Sequence, residues 1–120
     1  MLMKFPIFIE NSKIPAFISK FTPINIWAIT LGPLIICKGT LTTRVKNHET
    51  IHYHQYKETY FLGFILLYLY DYFYSAVFKK MGFTSKAYKN IRFEQEAYSN
   101  DQNLDYLNSR QKNNWKNYKL

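Results

Sequence analysis

One short stretch near the middle of the chain, His48-Glu49-Thr50-Ile51-His52, constrains the fold more than any other. If the stretch is helical, residues four apart lie on one face, so His48 and His52 can direct two imidazole nitrogens at a single ion. Glu49 lies about 100° around the helix from His48, beside such an ion, where its carboxylate could accept a proton as a general base. Zinc suits these residues because it binds nitrogen and oxygen ligands in tetrahedral geometry. The stretch therefore predicts a helix that carries a Zn2+ site.

The residues around this motif favour a helix over residues 41–60. Thr42 and Thr43 are both candidate N-cap residues, and no Pro or Gly follows them before Gly63. Gln55 falls on the histidine face one turn further on. It could orient a ligand or a substrate there, or simply satisfy buried polar groups.

The length and composition of the chain predict one small folded domain over residues 1–120. Hydrophobic residues make up 48% of the 120 residues, which is too many for a disordered chain. Sixteen basic residues against eight acidic ones give a net charge of +8, which permits contact with a membrane surface. The lysines are scattered and accompany no nucleic-acid-binding motif, so we expect no specific nucleic-acid partner.

Residues 1–40 predict a short helix and two strands. The helix covers residues 13–21 and ends before Pro23, and the strands lie within residues 24–37 on either side of Gly32-Pro33. The proline indicates a sheet edge or a bulge. An edge strand beside the motif helix could bind an extended peptide by strand addition, whereas a hairpin that merely covers the helices fits the sequence equally well.

Residues 61–80 predict an apolar helix, because residues 61–78 contain only one charged residue, Asp71. A helix that is apolar on every side is either buried in the core or in contact with lipid. We favour a core helix because an unpaired carboxylate is costly inside a membrane. In the alternative the helix is membrane-embedded or interfacial, with Lys79-Lys80 as its basic flank. The first ten residues lack the features of a signal peptide, so we expect a cytoplasmic protein, with association to a membrane as the alternative.

A catalytic zinc site needs a third protein ligand, and a second helix predicted over residues 91–110 offers Glu94 and Glu96. The two side chains are about 200° apart on the helix, so they cannot both face one ion. We favour Glu94, because Ala97 one turn later permits close helix packing and Asp101 extends the same face. Glu96 stays the alternative ligand, and an acidic pair that opens a helix without any metal is the plain alternative to both.

The remaining segments are shorter and less regular. Residues 81–90 predict a loop around Gly82, and residues 111–120 predict a basic, polar tail. We expect that tail to dock on the domain through the rings of Trp115 and Tyr118.

Two motifs also carry a resemblance. The stretches 47–55 and 87–98, with the aromatic helix between them, resemble a family of small proteins from Bacteroidetes-type genomes that carries H-E-x-x-H-x-x-Q and F-E-x-E-A-Y motifs. More distantly, the chain is similar to the gluzincin metallopeptidases. That similarity implies a zincin-like fold, with Glu94 as the third ligand and Ala97 as the alanine of the gluzincin motif. Tyr98 stands where the gluzincins have an aspartate. The aspartate that the similarity would imply as the partner of a metal ligand is therefore not present at this position.

We therefore expect an α+β fold, mainly α, that forms a minimal zincin-like (gluzincin) domain with a short two-stranded sheet packed on the metal-site helices. The expected function is a zinc-dependent hydrolase, in the form of a small metallopeptidase acting on a peptide or protein substrate. The alternative is a non-catalytic metal-binding or membrane-associated structural protein that retains the motif. The predicted site comprises the metal ligands His48, His52 and Glu94, the catalytic base Glu49, and the possible ligand partners or substrate contacts Gln55 and Tyr98.

Overall fold

The computed structural model describes residues 5–22 and 26–120 of the chain. The fold is α+β and mainly helical, as expected. The strands are β1 (Ile7–Ile9), β2 (Ala28–Leu31) and β3 (Leu34–Cys37). The helices are α1 (Ile14–Ser19), α2 (Thr43–Glu58), α3 (Leu62–Val77), α4 (Ser85–Asn90), α5 (Arg92–Asn100) and α6 (Tyr106–Ser109), followed by a 3-10 turn at Asn114–Asn117.

Within the described residues the sheet has three strands in the order β1-β3-β2, so the prediction of two strands was wrong. The hairpin of β2 and β3 forms at the predicted break, where Gly32 has a φ of +59° and Pro33 follows it. The missed strand, β1, is only three residues long and pairs in parallel with β3, a contact that no local pattern encodes. Pro23 and residues 24–25, which entered the prediction for this region, lie outside the described residues.

Helix α2 confirms the helix predicted around the motif. The hydroxyl of Thr42 accepts a hydrogen bond from the backbone N–H of Val45 at 3.2 Å and so caps the first turn. The helix buries an unusually polar face against α5 and β2. Its buried residues are Asn47, His48, Glu49, Ile51, His52, Gln55 and Tyr56.

A sharp corner joins α2 to α3. Tyr60 and Phe61 both have positive φ angles, of 57° and 65°. The N–H of Phe61 donates to the carbonyl of Tyr56 at 2.8 Å, and the N–H of Leu62 donates to the carbonyl of Tyr60 at 2.7 Å. No single helix in the described residues is long and apolar enough to cross a bilayer, and α2 and α3 meet those criteria only as a pair bent by 112°.

Helix α3 is not the core helix that we favoured from the sequence. Its buried residues are Phe64, Asp71, Ser75 and Ala76, and the opposite side is exposed along its length. The buried carboxylate is paired, because Asp71 binds the guanidinium of Arg92 at 2.9 Å and accepts the backbone N–H of the same residue. Helices α4 and α5 therefore cover one side of α3, and no described element packs over the other.

The predicted helix over residues 91–110 is shorter than expected, because α5 ends at Asn100. The side-chain amide of Asn47 donates to the carbonyls of Asp101 and Asn103, at 2.9 and 3.1 Å, and so holds the chain in a turn there. Residues 81–90, predicted as a loop, contain the short helix α4. The helical part of that segment buries Ala87 against its neighbours.

The basic tail docks on the domain through its rings, as predicted. The side chain of Trp115 is buried edge-on against Phe93, with ring centroids 4.8 Å apart. The hydroxyl of Tyr118 accepts a hydrogen bond from the side-chain amide of Asn100 at 3.0 Å. The tail thereby completes an aromatic core cluster that also contains Tyr56, Phe64 and Ile91.

Candidate metal centre

Three ligand-type atoms from two helices converge inside the domain. The Nε2 atoms of His48 and His52, both on α2, each lie 3.1 Å from Oε1 of Glu94 on α5. The two Nε2 atoms are 3.2 Å from one another. All three side chains are buried. The structure thus brings together the three residues that the sequence predicted as metal ligands.

The other ring nitrogen of each histidine has an oxygen partner that fixes its tautomer. Nδ1 of His48 lies 3.0 Å from a carboxylate oxygen of Asp101, and Nδ1 of His52 lies 2.7 Å from the amide oxygen of Gln55. Carboxylate and amide oxygens only accept hydrogen bonds, so each Nδ1 carries a proton and donates it. A neutral histidine held in this way presents an unprotonated Nε2 to the centre, as metal-binding histidines do.

The orientation of Gln55 is itself determined by its neighbours. Its NH2 group donates to the carbonyl of Phe93 at 3.1 Å and to a carboxylate oxygen of Glu96 at 2.8 Å. Both donors are thereby used, so the amide oxygen must face His52. Gln55, predicted as a possible partner of a ligand, lies in that position.

Glu96, the alternative ligand, points away from the histidines. Its carboxylate accepts hydrogen bonds from the guanidinium of Arg110 at 2.6 Å and from the hydroxyl of Tyr106 at 2.5 Å. Arg110 also pairs with Glu58, at 2.7 and 2.9 Å. Burial raises the pKa of Glu96, but the hydrogen bonds from Arg110, Tyr106 and Gln55 together outweigh it and hold the pKa below its ordinary value. Glu96 therefore anchors Gln55 rather than offering an oxygen to the centre.

Helix α3 orients the carboxylate of Glu94. The hydroxyl of Tyr68 donates to Oε2 of Glu94 at 2.7 Å, which leaves Oε1 directed at the histidines. Burial lowers the pKa of His52, but the charge and hydrogen bond of Glu94, together with Glu49 and Gln55, more than compensate and raise the pKa to about 9. Burial likewise raises the pKa of Glu94, but the histidines hold it well below its ordinary value. The centre is therefore a buried group of acceptors that favours a positive charge.

This group can hold a metal ion. In a tetrahedral zinc site with bonds of about 2.0–2.1 Å, neighbouring ligand atoms are about 3.3 Å apart. The separations of 3.1–3.2 Å among the three atoms are close to that value. Without a metal the same groups form ion pairs, in which a proton on a histidine supplies the positive charge. The donor set and its spacing thus fit a metal ion, and two nitrogens with one oxygen are ligands that several divalent metals accept.

Glu49 and Tyr98 lie beside the centre without contributing an atom to it. Glu49 is buried next to His48, and its Oε2 accepts a hydrogen bond from the hydroxyl of Thr30 on β2 at 2.7 Å. The ring of Tyr98 packs edge-on against that of His48, with centroids 4.6 Å apart. Tyr98 therefore contacts a ligand through its ring, and Asp101, one turn later, supplies the carboxylate that binds His48.

A cavity of about 630 Å³ opens beside the three ligands. Its polar part includes the three ligands, Glu49, Arg44 and Asp101. Its remaining wall is largely apolar and comes from β2, α3, α4 and the residues before β2. The wall includes Phe21, Trp27, Ile29, Ile65, Leu69 and Tyr88. The edge strand β2 thus runs along the cavity, next to the helix that carries the motif.

Three residues of this site were not predicted from the sequence. The spacing of seven between Glu94 and Asp101 places both on one helix face, so the position of Asp101 was visible although its bond to His48 was not. Thr30 and Tyr68 gave no signal, because a threonine in a strand and a tyrosine in an aromatic helix are ordinary residues there. Their roles depend on how β2 and α3 pack against the motif helix.

The site combines three convergent ligand atoms, fixed histidine tautomers, a neighbouring carboxylate and an apolar cavity. Each of these features follows from contacts between α2 and the elements around it. The chain matches no protein-family model, no curated protein and no solved structure.

Proposed function

We propose that the protein is a zinc-dependent hydrolase with a minimal zincin-like architecture, acting as a small metallopeptidase. The observation that carries the proposal is the geometry of the centre: three ligand atoms lie 3.1–3.2 Å apart with a carboxylate beside them that binds none of them. A purely structural zinc site normally has four protein ligands. Three ligands with a neighbouring base and an adjoining cavity are the arrangement of a catalytic one.

His48, His52 and Glu94 would hold the ion. Zinc in such a site acts as a Lewis acid and lowers the pKa of water to roughly 7. Asp101 and Gln55 hold the two imidazole rings in place through their Nδ1 atoms. These fixed partners favour tight binding, because the rings need not reorient when the ion enters.

Glu49 would act as the general base and then as the general acid in the reaction. The hydroxyl of Thr30 occupies its Oε2 and leaves Oε1 as the oxygen that can accept a proton from the attacking water. The same carboxylate would return that proton to the leaving amine. Because Thr30 lies on β2, the strand holds the base at a fixed place relative to the cavity.

The edge strand and the cavity support a peptide as the substrate class. An extended peptide can add to the edge of a sheet through backbone hydrogen bonds, and β2 is such an edge. Ile29 on β2 and Leu69 on α3 contribute to the apolar wall of the cavity. That wall suits a substrate with apolar side chains next to the cleaved bond.

The test combines metal content with turnover. Protein purified without chelator should contain close to one zinc per chain, and His52→Ala should lose it. On a library of unstructured fluorogenic peptides, Glu49→Gln should lower turnover by ~10²–10⁴-fold, the range for removing a general base, with zinc content unchanged. Asp105→Asn removes an exposed carboxylate outside the site and is the matched control, which should keep wild-type turnover.

Each outcome separates two interpretations. Zinc binding with no turnover on any peptide would favour a metal-binding protein without catalysis. Turnover that survives Glu49→Gln at the wild-type rate would exclude the role given to Glu49. Protein that keeps full zinc after His52→Ala would exclude this centre as the metal site.

A further inference from the structure

The outer side of α3 is an apolar surface that the fold leaves exposed. Six side chains at helical spacing form this apolar stripe, and they are between 43% and 65% exposed. They are Leu62, Ile65, Leu66, Leu69, Phe73 and Val77. Contiguous exposed apolar surface of this kind marks an interaction site more often than ordinary surface.

The charge of the protein surface is strongly one-sided. Thirteen basic side chains are exposed in the described residues, against two acidic ones, Glu10 and Asp105. The other acidic residues are buried or partly buried, and several are paired, as Asp71 is with Arg92. Lys79 and Lys80 are exposed directly after α3. An apolar stripe within a cationic surface complements a partner that is both apolar and anionic.

We propose that the apolar stripe docks on the surface of an anionic lipid bilayer. Lipid fits both features, because acyl chains receive the apolar side chains and anionic headgroups attract the lysines. A second copy of the chain fits less well, because it would bring two cationic surfaces together. The sixteen residues of α3 span about 24 Å, less than the ~30 Å hydrocarbon core, so the helix lies in the interface plane.

The inner side of α3 explains how the helix can lie at an interface while it stays part of the domain. Asp71 and Ser75 face inward, where Arg92 and Asn90 bind them. These polar contacts hold α3 on α4 and α5, so that its apolar residues are available to the lipid without unfolding. The docking surface is therefore preformed.

The stripe continues into the rim of the cavity, because Ile65 and Leu69 belong to both. Phe21 and Trp27 form another exposed apolar part of that rim. A bilayer in contact with the stripe would lie next to the cavity mouth. If the proposed function holds, the peptide substrate is then one that is bound to a membrane.

Flotation with lipid vesicles tests the docking independently of any activity. The full-length protein should float with vesicles of phosphatidylcholine and phosphatidylglycerol, and less with phosphatidylcholine alone or at high salt. The double variant Leu66→Gln/Phe73→Gln should reduce partitioning by at least ~10-fold, because two exposed side chains lose their transfer into the acyl region. Leu104→Gln, which changes an exposed leucine outside α3, should partition as wild type.

Two further measurements keep the result unambiguous. Zinc content and thermal unfolding of the double variant should match wild type, since neither residue contacts the metal centre. Wild-type protein that stays at the bottom of the gradient with anionic vesicles would overturn the proposal, as would a double variant that floats unchanged. A wild-type dimer in sedimentation velocity that the double variant dissociates, without vesicle binding, would overturn it too and assign the stripe to a second copy.

Discussion

Helices α2 and α3 are neighbours of the same length, sixteen residues each, yet they place polarity in opposite ways. Helix α2 turns His48, Glu49 and His52 toward the interior. Helix α3 turns leucine and phenylalanine side chains toward the solvent. A helix on the surface of a globular domain ordinarily does the reverse of both.

The two helices depart in opposite ways from the usual rule that apolar side chains are buried and polar ones are exposed. On α2 every buried polar side chain of the motif has a partner, so hydrogen bonds and ion pairs stabilise the buried polar face. On α3 the inner residues Asp71 and Ser75 are also paired, but the outer apolar residues are exposed. Buried polar groups and exposed apolar patches are the informative exceptions in a fold. Here one points to an ion and the other to a lipid surface.

The largest expected effect compares two phenylalanines within α3. Phe64 is 5% exposed and stacks on Tyr56 and Phe93, whereas Phe73 is 55% exposed. Phe64→Ala should lower the free energy of unfolding by about 3–5 kcal/mol, the range for a buried phenylalanine. Phe73→Ala should change it by no more than about 0.5 kcal/mol, as a surface substitution does. Urea denaturation measures both. Equal losses would mean that the stripe is covered in the folded protein.

The next effect compares two glutamates on α5. Glu94→Gln should reduce zinc affinity by more than the ~10–100-fold seen when a partner of a ligand is removed, because it removes a ligand itself. Glu96→Gln should change zinc affinity less and instead lower thermal stability, because it removes a charge that the buried Arg110 binds. Competition with a chromophoric chelator and thermal unfolding separate the two. The opposite order would make Glu96 the ligand and place the other face of α5 toward α2.

A smaller effect concerns the partner of His48. Asp101→Asn should reduce zinc affinity by ~10–100-fold, because the carboxylate that accepts the Nδ1 proton of His48 is replaced by a neutral amide. Arg44→Gln is the control, since Arg44 also binds Asp101 but is largely exposed and does not touch the histidines. Chelator competition on both variants gives the comparison. If Asp101→Asn and Arg44→Gln bind zinc with equal affinity, the carboxylate of Asp101 does not strengthen metal binding by His48.

The candidate metal centre was largely predictable because most of the geometry that brings its ligands together is local. His48 and His52 are four residues apart on one helix, so their convergence needs only helical geometry. The choice of Glu94 over Glu96 needed one further assumption, that Ala97 marks the side of α5 on which α2 packs. The structure places Ala97 in the buried interior, which agrees with that assumption.

The rest depends on contacts between distant segments, which periodicity does not encode. The short strand β1 exists only because β3 is beside it. The exposure of α3 depends on how many elements a small chain can pack around one helix, and composition cannot show that. The hydrogen bond from Thr30 to Glu49 joins residues nineteen apart, in a strand and a helix. The local sequence pattern therefore predicted the candidate ligands, whereas their hydrogen-bond partners depend on tertiary packing.

The corner at Tyr60 and Phe61 affects which substitutions the arrangement of α2 and α3 can tolerate. A residue with a side chain at positive φ is strained by roughly 1–3 kcal/mol, and glycine is the usual residue at such a helix end. Here both residues at positive φ are aromatic, so the corner carries that strain. Its backbone hydrogen bonds set the direction of α3. The angle between the two helices is thus set largely by the main chain. Substitutions at outer positions of α3 that do not line the cavity, such as Leu66 and Phe73, should therefore leave the direction of the helix and the shape of the cavity unchanged.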